Sequence, residues 1–208
     1  MTLQELGIKY NSDKATWHDF CDFYDKHLDK YRNDSLNFLE IGIGEAASLL
    51  MWNDYFEQSK IYGIDIDPNK IINKGRIISS ICDQSDRSYL AKVFDGVVFD
   101  FIVDDGGHYM DQQQISLATM FKRLKNGNFY ILEDLHTSYF CDYNPKPTFL
   151  TTLDILEKFQ KTKIFFSNYL SVEENDYLTD SIEDIEIYKA TGRPDKCDSV
   201  TSIIKKKK

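Results

Sequence analysis

The sequence predicts an α/β fold, a mostly parallel sheet with helices on both faces, and three observations carry that reading. Short apolar runs alternate with helix-length amphipathic segments as far as Asp134, the rhythm of strand, crossover helix and parallel strand. Two runs, Phe99 to Val103 and Phe129 to Leu132, stop abruptly at Asp104-Asp105 and Glu133-Asp134, as buried parallel strands do when they deliver carboxylates to the carboxyl edge of a sheet. A third, Asn37 to Ile41, runs into Gly42-Ile43-Gly44 and a helical pattern, where glycines let backbone approach a ligand closely. The expected crevice lies at the strand carboxyl ends and holds several carboxylates and His108.

Ahead of the first strand, Trp17, Phe20, Cys21, Tyr24, His27, Leu28 and Tyr31 recur at spacings of three and four. This predicts an amphipathic helix over residues 15–31, capped by Ser12 or Asp13. Residues 1–36 are expected to form a helical cover segment and residues 37–208 the main domain, within one domain overall, since no Pro/Gly/Ser-rich linker divides the chain. After the glycine turn a helix bears Leu49, Leu50, Trp52 and Phe56, and a second strand runs from Ile61 to Asp67, closed by Pro68. A basic, isoleucine-rich segment from Lys70 to Ser80 leads to a third strand ending at Ile81-Cys82-Asp83. A helix is expected over Gln112 to Leu124, then a turn at Lys125-Asn126-Gly127 before the strand that ends at Glu133-Asp134. Beyond Pro145 and Pro147, Phe149 to Gln160 has helical spacing, and residues 163–169, 185–189 and 199–204 read as strands.

A formal net charge of -9 over 208 residues argues against a nucleic-acid partner, because no continuous basic face is present. The only basic block, Lys205 to Lys208, reads as a solvated tail, with weak contact to an anionic surface as the other reading. Cys21, Cys82, Cys141 and Cys197 lie far apart without a C-x-x-C pair, so zinc-knuckle and dithiol motifs are absent and reduced thiols are expected. No signal region and no apolar run of spanning length is visible, which makes a cytoplasmic protein without a membrane span the expectation.

The glycine loop Gly42-x-Gly44-x-x-Ala47 is followed about 20 residues on by Asp65, where a carboxylate at the end of a second strand accepts hydrogen bonds from ribose hydroxyls. That pair alone suits a nicotinamide dinucleotide as well as S-adenosylmethionine. Glu40 makes the loop E-x-G-x-G, which resembles the first motif of class I methyltransferases, and Asp83 ends the third strand as an adenine-recognising acid does in that class. A dehydrogenase would need its Tyr-x-x-x-Lys downstream of the loop, whereas Tyr10 and Lys14 lie upstream.

With these residues assembled, the chain resembles the macrocin and mycinamicin family of sugar O-methyltransferases, relatives of a cephalosporin hydroxylase-like family. The segments that carry the resemblance are Asn11-Ser12-Asp13-Lys14 with His18 and Tyr24, Leu39-Glu40-Ile41-Gly42-Ile43-Gly44, Ser48-Leu49 with Met51-Trp52, Gly63-Ile64-Asp65-Ile66-Asp67, Asp83-Gln84-Ser85-Asp86, Asp104 to His108 and Ile131 to Tyr139. The resemblance implies a Rossmann-like class I methyltransferase fold, with a mostly parallel seven-stranded sheet and an antiparallel C-terminal strand. It implies S-adenosylmethionine held by Glu40, Gly42, Gly44, Ser48, Asp65, Ile66, Asp83 and Gln84, with Asp104 on the cofactor side or at the sheet edge. Asp105 and Asp134 match the family's positions for Mg²⁺ or Mn²⁺, metals that oxygen ligands suit. Glu133 is either a third ligand or an acid turned inward, because neighbouring side chains on a strand diverge.

His108 corresponds to the family's catalytic base, and imidazole titrates near neutrality. His136 and Tyr139 either line a substrate pocket or anchor a loop; Lys14 and His18 belong either to a cover over the cofactor and substrate or to a surface helix. The family usually has serine where Gly107 stands, and the large N-terminal region of the macrolide enzymes is missing. The implied reaction is metal-assisted methyl transfer to a hydroxyl of a small molecule or glycan, most naturally a sugar. A dehydrogenase, a metal-dependent hydroxylase and a non-catalytic nucleotide-binding module are the alternatives, and a homo-oligomer is left open.

Overall fold

The protein is described by a computed structural model that covers residues 1–191 and 198–208; Cys197 lies outside the described residues. Seven strands, β1 (Asn37–Ile41), β2 (Lys60–Asp65), β3 (Ile77–Ile81), β4 (Phe99–Asp104), β5 (Leu124–Leu132), β6 (Ile182–Ala190) and β7 (Ser199–Lys206), form one sheet. Their order is β3-β2-β1-β4-β5-β7-β6. The pairs from β3 across to β5 are parallel, while β7 runs antiparallel to both β5 and β6. Chain order reverses between β1 and β4, and a sheet of this kind opens its ligand crevice at that switch point, beyond the strand carboxyl ends.

Helices cover both faces. On one lie α1 (Leu3–Tyr10), α2 (Asp13–Thr16), α3 (Cys21–Leu28) and α4 (Ala47–Tyr55); on the other lie α5 (Arg87–Leu90), α6 (Met110–Met120), α7 (Thr152–Thr162) and α8 (Val172–Ser181). Strand alternation sorts the two cores. Phe38, Phe101, Val103, Phe129 and Ile131 face α4 with Trp52 and Phe56, whereas Leu39, Ile102, Tyr130 and Leu132 face α6 and α7. Every residue of β4 is buried, which is why this central strand reads as a near-continuous apolar run.

Several sequence expectations differ from the structure. The helix expected over residues 15–31 is broken between α2 and α3, because Asp19 takes a left-handed φ of 57° and ends the first turn. Residues 163–169 form no strand. Lys163 caps α7 with φ 55°, and the Asn175 side chain accepts from Ser167 N at 2.7 Å and donates to Ser167 O at 3.0 Å, taking the place of ladder partners. The turn expected at 125–127 lies within β5, where Gly127 takes φ 83°. Lys205 and Lys206 are not a solvated tail but the end of β7, and Lys206 is buried, donating to Phe121 O at 2.8 Å and Leu124 O at 2.7 Å. Three helices have no counterpart in the sequence expectations: α1, the short α5, and α8 with its Ser171–Glu174 capping box. Cys21, Cys82 and Cys141 are free thiols.

Candidate active site

Strand register assembles the site. Ile41 pairs with Asp104, and Asp104 with Leu132, so the next residues along, Gly42, Asp105 and Glu133, emerge side by side at the sheet edge. The ladder continues one step past the strands, with Asp105 N donating to Ile41 O at 2.8 Å and Glu133 N to Asp104 O at 2.9 Å. Gly42 takes φ +89°, and a Cβ there would stand 2.1 Å from the Asp105 carbonyl oxygen, so only glycine fits.

A crevice of about 260 Å³ opens between the glycine loop and the ends of β2 and β3, lined by Gly44, Asp65, Ile66, Asp83, Gln84 and Gly106 among others. Asp65 is fixed in it from behind: its Oδ2 accepts from Ile43 N at 2.9 Å and Gly44 N at 3.2 Å, and its Oδ1 from Asp67 N at 2.8 Å. Asp83 closes a local turn by accepting from Ser85 N at 2.8 Å. Gln84 ties this wall to the next strand, accepting from Gly107 N at 2.7 Å and donating to Asp104 Oδ1 at 3.2 Å. Asp104 itself points away from the crevice into the core, where Ser116 donates to it and Tyr130 Oη donates at 2.8 Å. Of the two places the sequence offered for Asp104, the buried edge of the sheet is where it stands.

A second crevice, about 470 Å³, lies on the other side of the loop and is lined by Tyr10, Asp13, Ser48, Asp105, His108 and Asp134 among others. Gly42, Gly44 and Asp105 line both crevices, so the two meet there. Asp105, His108 and Asp134 offer ligand atoms within 4.8 Å of one another. His108 Nε2 stands 3.4 Å from Asp134 Oδ2 and 4.0 Å from Asp105 Oδ1. His108 and Asp134 both take left-handed φ, 60° and 54°, a conformation uncommon away from glycine. Strand alternation ends at Asp134, which lets its carboxylate join Asp105 while Glu133 turns inward.

Glu133 is 1% exposed and pairs with a residue from the N-terminal segment. The Lys14 ammonium, wholly buried, touches Asp105, lies 3.2 Å from Glu133 Oε2 and 3.4 Å from Glu40 Oε1. Glu40 also accepts from Trp52 Nε1 at 3.3 Å. Burial pushes Glu40 up to about 7 against the pull of Lys14, and burial with the neighbouring Asp105 charge pushes Asp134 up to about 8. Burial disfavours the Lys14 charge, but Asp105, Glu133 and Glu40 outweigh it and hold the ammonium well above the usual lysine range. Lys14 is therefore neither on a surface helix nor exposed to either crevice.

Histidines gather around Asp134. His18 Nδ1 and His136 Nδ1 each lie 3.8 Å from Asp134 Oδ1, and His18 bonds Ser199 Oγ at 2.8 Å while stacking on Phe20. Burial lowers His18 to about 4. Tyr139 is exposed and lines neither crevice. Sequence reasoning passed over Gln112, which lines the first crevice with a buried Oε1 that accepts no hydrogen bond. Its only sequence signal was its place at the start of the helix that follows the Asp105 strand.

A doubly wound sheet of this strand order, with a glycine loop after β1 and acids at the ends of β2, β4 and β5, defines the fold of a class I methyltransferase. No family model matches the chain. The chain is 30% identical over 206 residues to L-olivosyl-oleandolide 3-O-methyltransferase of Streptomyces antibioticus, covering 91% of this chain and 53% of that protein. It is 33% identical over 168 residues to demethylmacrocin O-methyltransferase of Streptomyces fradiae, covering 74% of this chain and 42% of that one. Among solved structures, the MycE methyltransferase of mycinamycin biosynthesis, in complex with Mg, SAH and mycinamycin VI, superposes with a TM-score of 0.82 at 26% identity, over all of this chain and 55% of that one. Over most of its length the chain is thus similar to S-adenosylmethionine-dependent sugar O-methyltransferases, the macrocin and mycinamicin enzymes among them. It spans about half the length of the curated relatives it matches.

Proposed function

We propose that this chain transfers a methyl group from S-adenosylmethionine to a hydroxyl of a sugar, free, nucleotide-linked or within a glycan or natural product, with a divalent ion at the acceptor. The observation that carries the reading is the meeting of the two crevices at Gly42, Gly44 and Asp105, with the Asp105–His108–Asp134 cluster at the junction. The residues fit both groups. Asp134 Oδ1 is buried and accepts no hydrogen bond, and the carboxylates of Asp105 and Asp134, with no thiolate beside them, suit Mg²⁺ or Mn²⁺ and leave the His108 imidazole free to act as a base. The first crevice offers Asp65 to ribose hydroxyls and Asp83 with Ile66 to a purine.

When bound, S-adenosylmethionine supplies the methyl group and the divalent ion lowers the energy of the acceptor's developing alkoxide. Asp105 and Asp134 hold the ion, with Glu133 beside them. His108 Nε2, the nitrogen that faces the cluster, takes the acceptor's proton. The glycine loop and Asp65 orient the cofactor, and orientation supplies much of the acceleration in such a displacement. Residues 1–36 act as the cover segment, with His18 and His136 packed against Asp134. The acceptor is a small molecule or glycan rather than a nucleic acid, and the reaction belongs to the cytoplasm. No helix among the described residues is long and apolar enough to cross a membrane.

The test is a thermal-shift panel of S-adenosylmethionine, S-adenosylhomocysteine and NAD, each with Mg²⁺ or chelator, followed by mass spectrometry of methyl transfer to sugar nucleotides and deoxysugar glycosides. Stabilisation by S-adenosylhomocysteine and a mass gain of one methyl group on an acceptor are expected. Stabilisation by NAD alone overturns the reading.

A further inference from the structure

Two lysines are buried among the described residues, and their surroundings differ. Lys206 donates to two backbone carbonyls, Phe121 O and Leu124 O, and closes the sheet. Lys14 instead has carboxylates for partners: Asp105, Glu133 and Glu40. Its position is firmly built. Gly7 of α1 packs so tightly on α2 that a Cβ there would stand 2.4 Å from Ala15 Cβ, the residue beside Lys14. Ser12 N bonds Gly7 O at 2.8 Å, and Phe20 N bonds Lys14 O at 2.8 Å, clamping the backbone on both sides.

One cation thus neutralises acids from three strand ends, Glu40 of β1, Asp105 beyond β4 and Glu133 beyond β5. Glu133 keeps its other oxygen, Oε1, buried without a donor. An uncompensated cluster of buried carboxylates is strongly unfavourable, and the affinity of an oxygen site for a divalent ion rises with its carboxylate charge.

We propose that Lys14 is the resident cation of the acidic cluster, a positioning residue whose ammonium holds Asp105 and Glu133 in place and lowers the affinity of the cluster for a divalent ion. This rests on the reading of Asp105 and Asp134 as the ligands of a divalent ion. The N-terminal segment thereby sets metal affinity as well as covering the site. A lysine that shares the acids keeps the metal-free protein folded and the bound ion exchangeable.

Mn²⁺ alone is titrated into wild-type protein, Lys14→Met and the double variant Lys14→Met/Glu133→Gln, and both thermal unfolding and calorimetric affinity are read without cofactor or acceptor. Metal-free Lys14→Met is expected to melt about 10 °C below wild type and to bind Mn²⁺ about tenfold more tightly, so that saturating Mn²⁺ raises its Tm more than that of wild type. The double variant removes one positive and one negative charge together and is expected to recover most of the lost metal-free stability. Unchanged or weaker Mn²⁺ binding by folded Lys14→Met overturns the inference, as does unchanged metal-free stability. If Lys14→Met stays unfolded even with Mn²⁺, a native-like double variant supports the charge pairing and an unfolded one overturns it. No response to Mn²⁺ by any of the proteins overturns the metal reading and this inference with it, whereas equal responses by all overturn the inference alone.

Discussion

Gly42 lies directly against the carbonyl of Asp105, so close that a single added carbon would stand 2.1 Å from the oxygen. The contact joins the loop that serves the cofactor crevice to the residue that heads the acidic cluster. Gly42→Ala must therefore displace either the loop or Asp105, and φ +89° adds strain of about 1 kcal/mol or more for alanine. Isothermal titration should show loss of both S-adenosylhomocysteine and Mn²⁺ affinity, each by tenfold or more on the order expected for 1.4 kcal/mol.

Asp105→Asn and His108→Ala change the acidic cluster and leave the glycine loop and Asp65, which orient the cofactor, unaltered. Turnover should fall by about 10²–10⁴, measured by mass spectrometry of the methylated acceptor, while S-adenosylhomocysteine affinity by calorimetry stays close to wild type. Cofactor binding lost with turnover retained would reverse the roles assigned to the two crevices.

Asp65→Ala removes the acceptor for Ile43 N and Gly44 N. It also removes the carboxylate offered to the ribose hydroxyls, and a hydrogen bond to a charged group contributes about 1.5–3 kcal/mol, so S-adenosylhomocysteine binding should weaken by about tenfold or more. Mn²⁺ affinity, set on the other side of the loop, should change little.

Lys206→Ala leaves the Phe121 and Leu124 carbonyls without their buried donor. Urea denaturation should report a loss of about 1–3 kcal/mol. Lys208→Ala, at an exposed end of the same lysine run, should stay within about 0.5 kcal/mol of wild type.

His27 gives a pH signature remote from the acidic cluster. Burial between Phe23 and Phe129 lowers its pKa below 6.5, against the pull of Glu186. A group whose folded pKa is depressed binds its proton more readily when unfolded, so its contribution to stability is present above pH 6.5 and declines as pH falls below it. His27→Gln should make the decline in urea-unfolding stability between about pH 7 and pH 5 shallower. An unchanged slope would show that this imidazole does not titrate differently on folding.

The alternation of strand and helix, the glycine turn and the acids that end β4 and β5 are local features, and they were legible because each depends on residues a few positions apart. The capping box of α8 was equally local and went unread beneath its acidic, weakly patterned sequence. The division of labour among the acids could not be read in this way. Glu133 and Asp134 are neighbours in sequence, yet a left-handed φ of 54° at Asp134 turns one to His108 and leaves the other facing Lys14.

The amino-acid sequence by itself determined the α/β class, the order of the motifs and the chemical types gathered at one sheet edge. Only the tertiary structure decided that Lys14 is buried among Glu40, Asp105 and Glu133, that Asp104 faces the core, and that Lys206 belongs to the sheet. The reason is physical: strand register and the packing of α1 on α2 set distances between residues far apart in the chain, and the state of a buried charge depends on those distances.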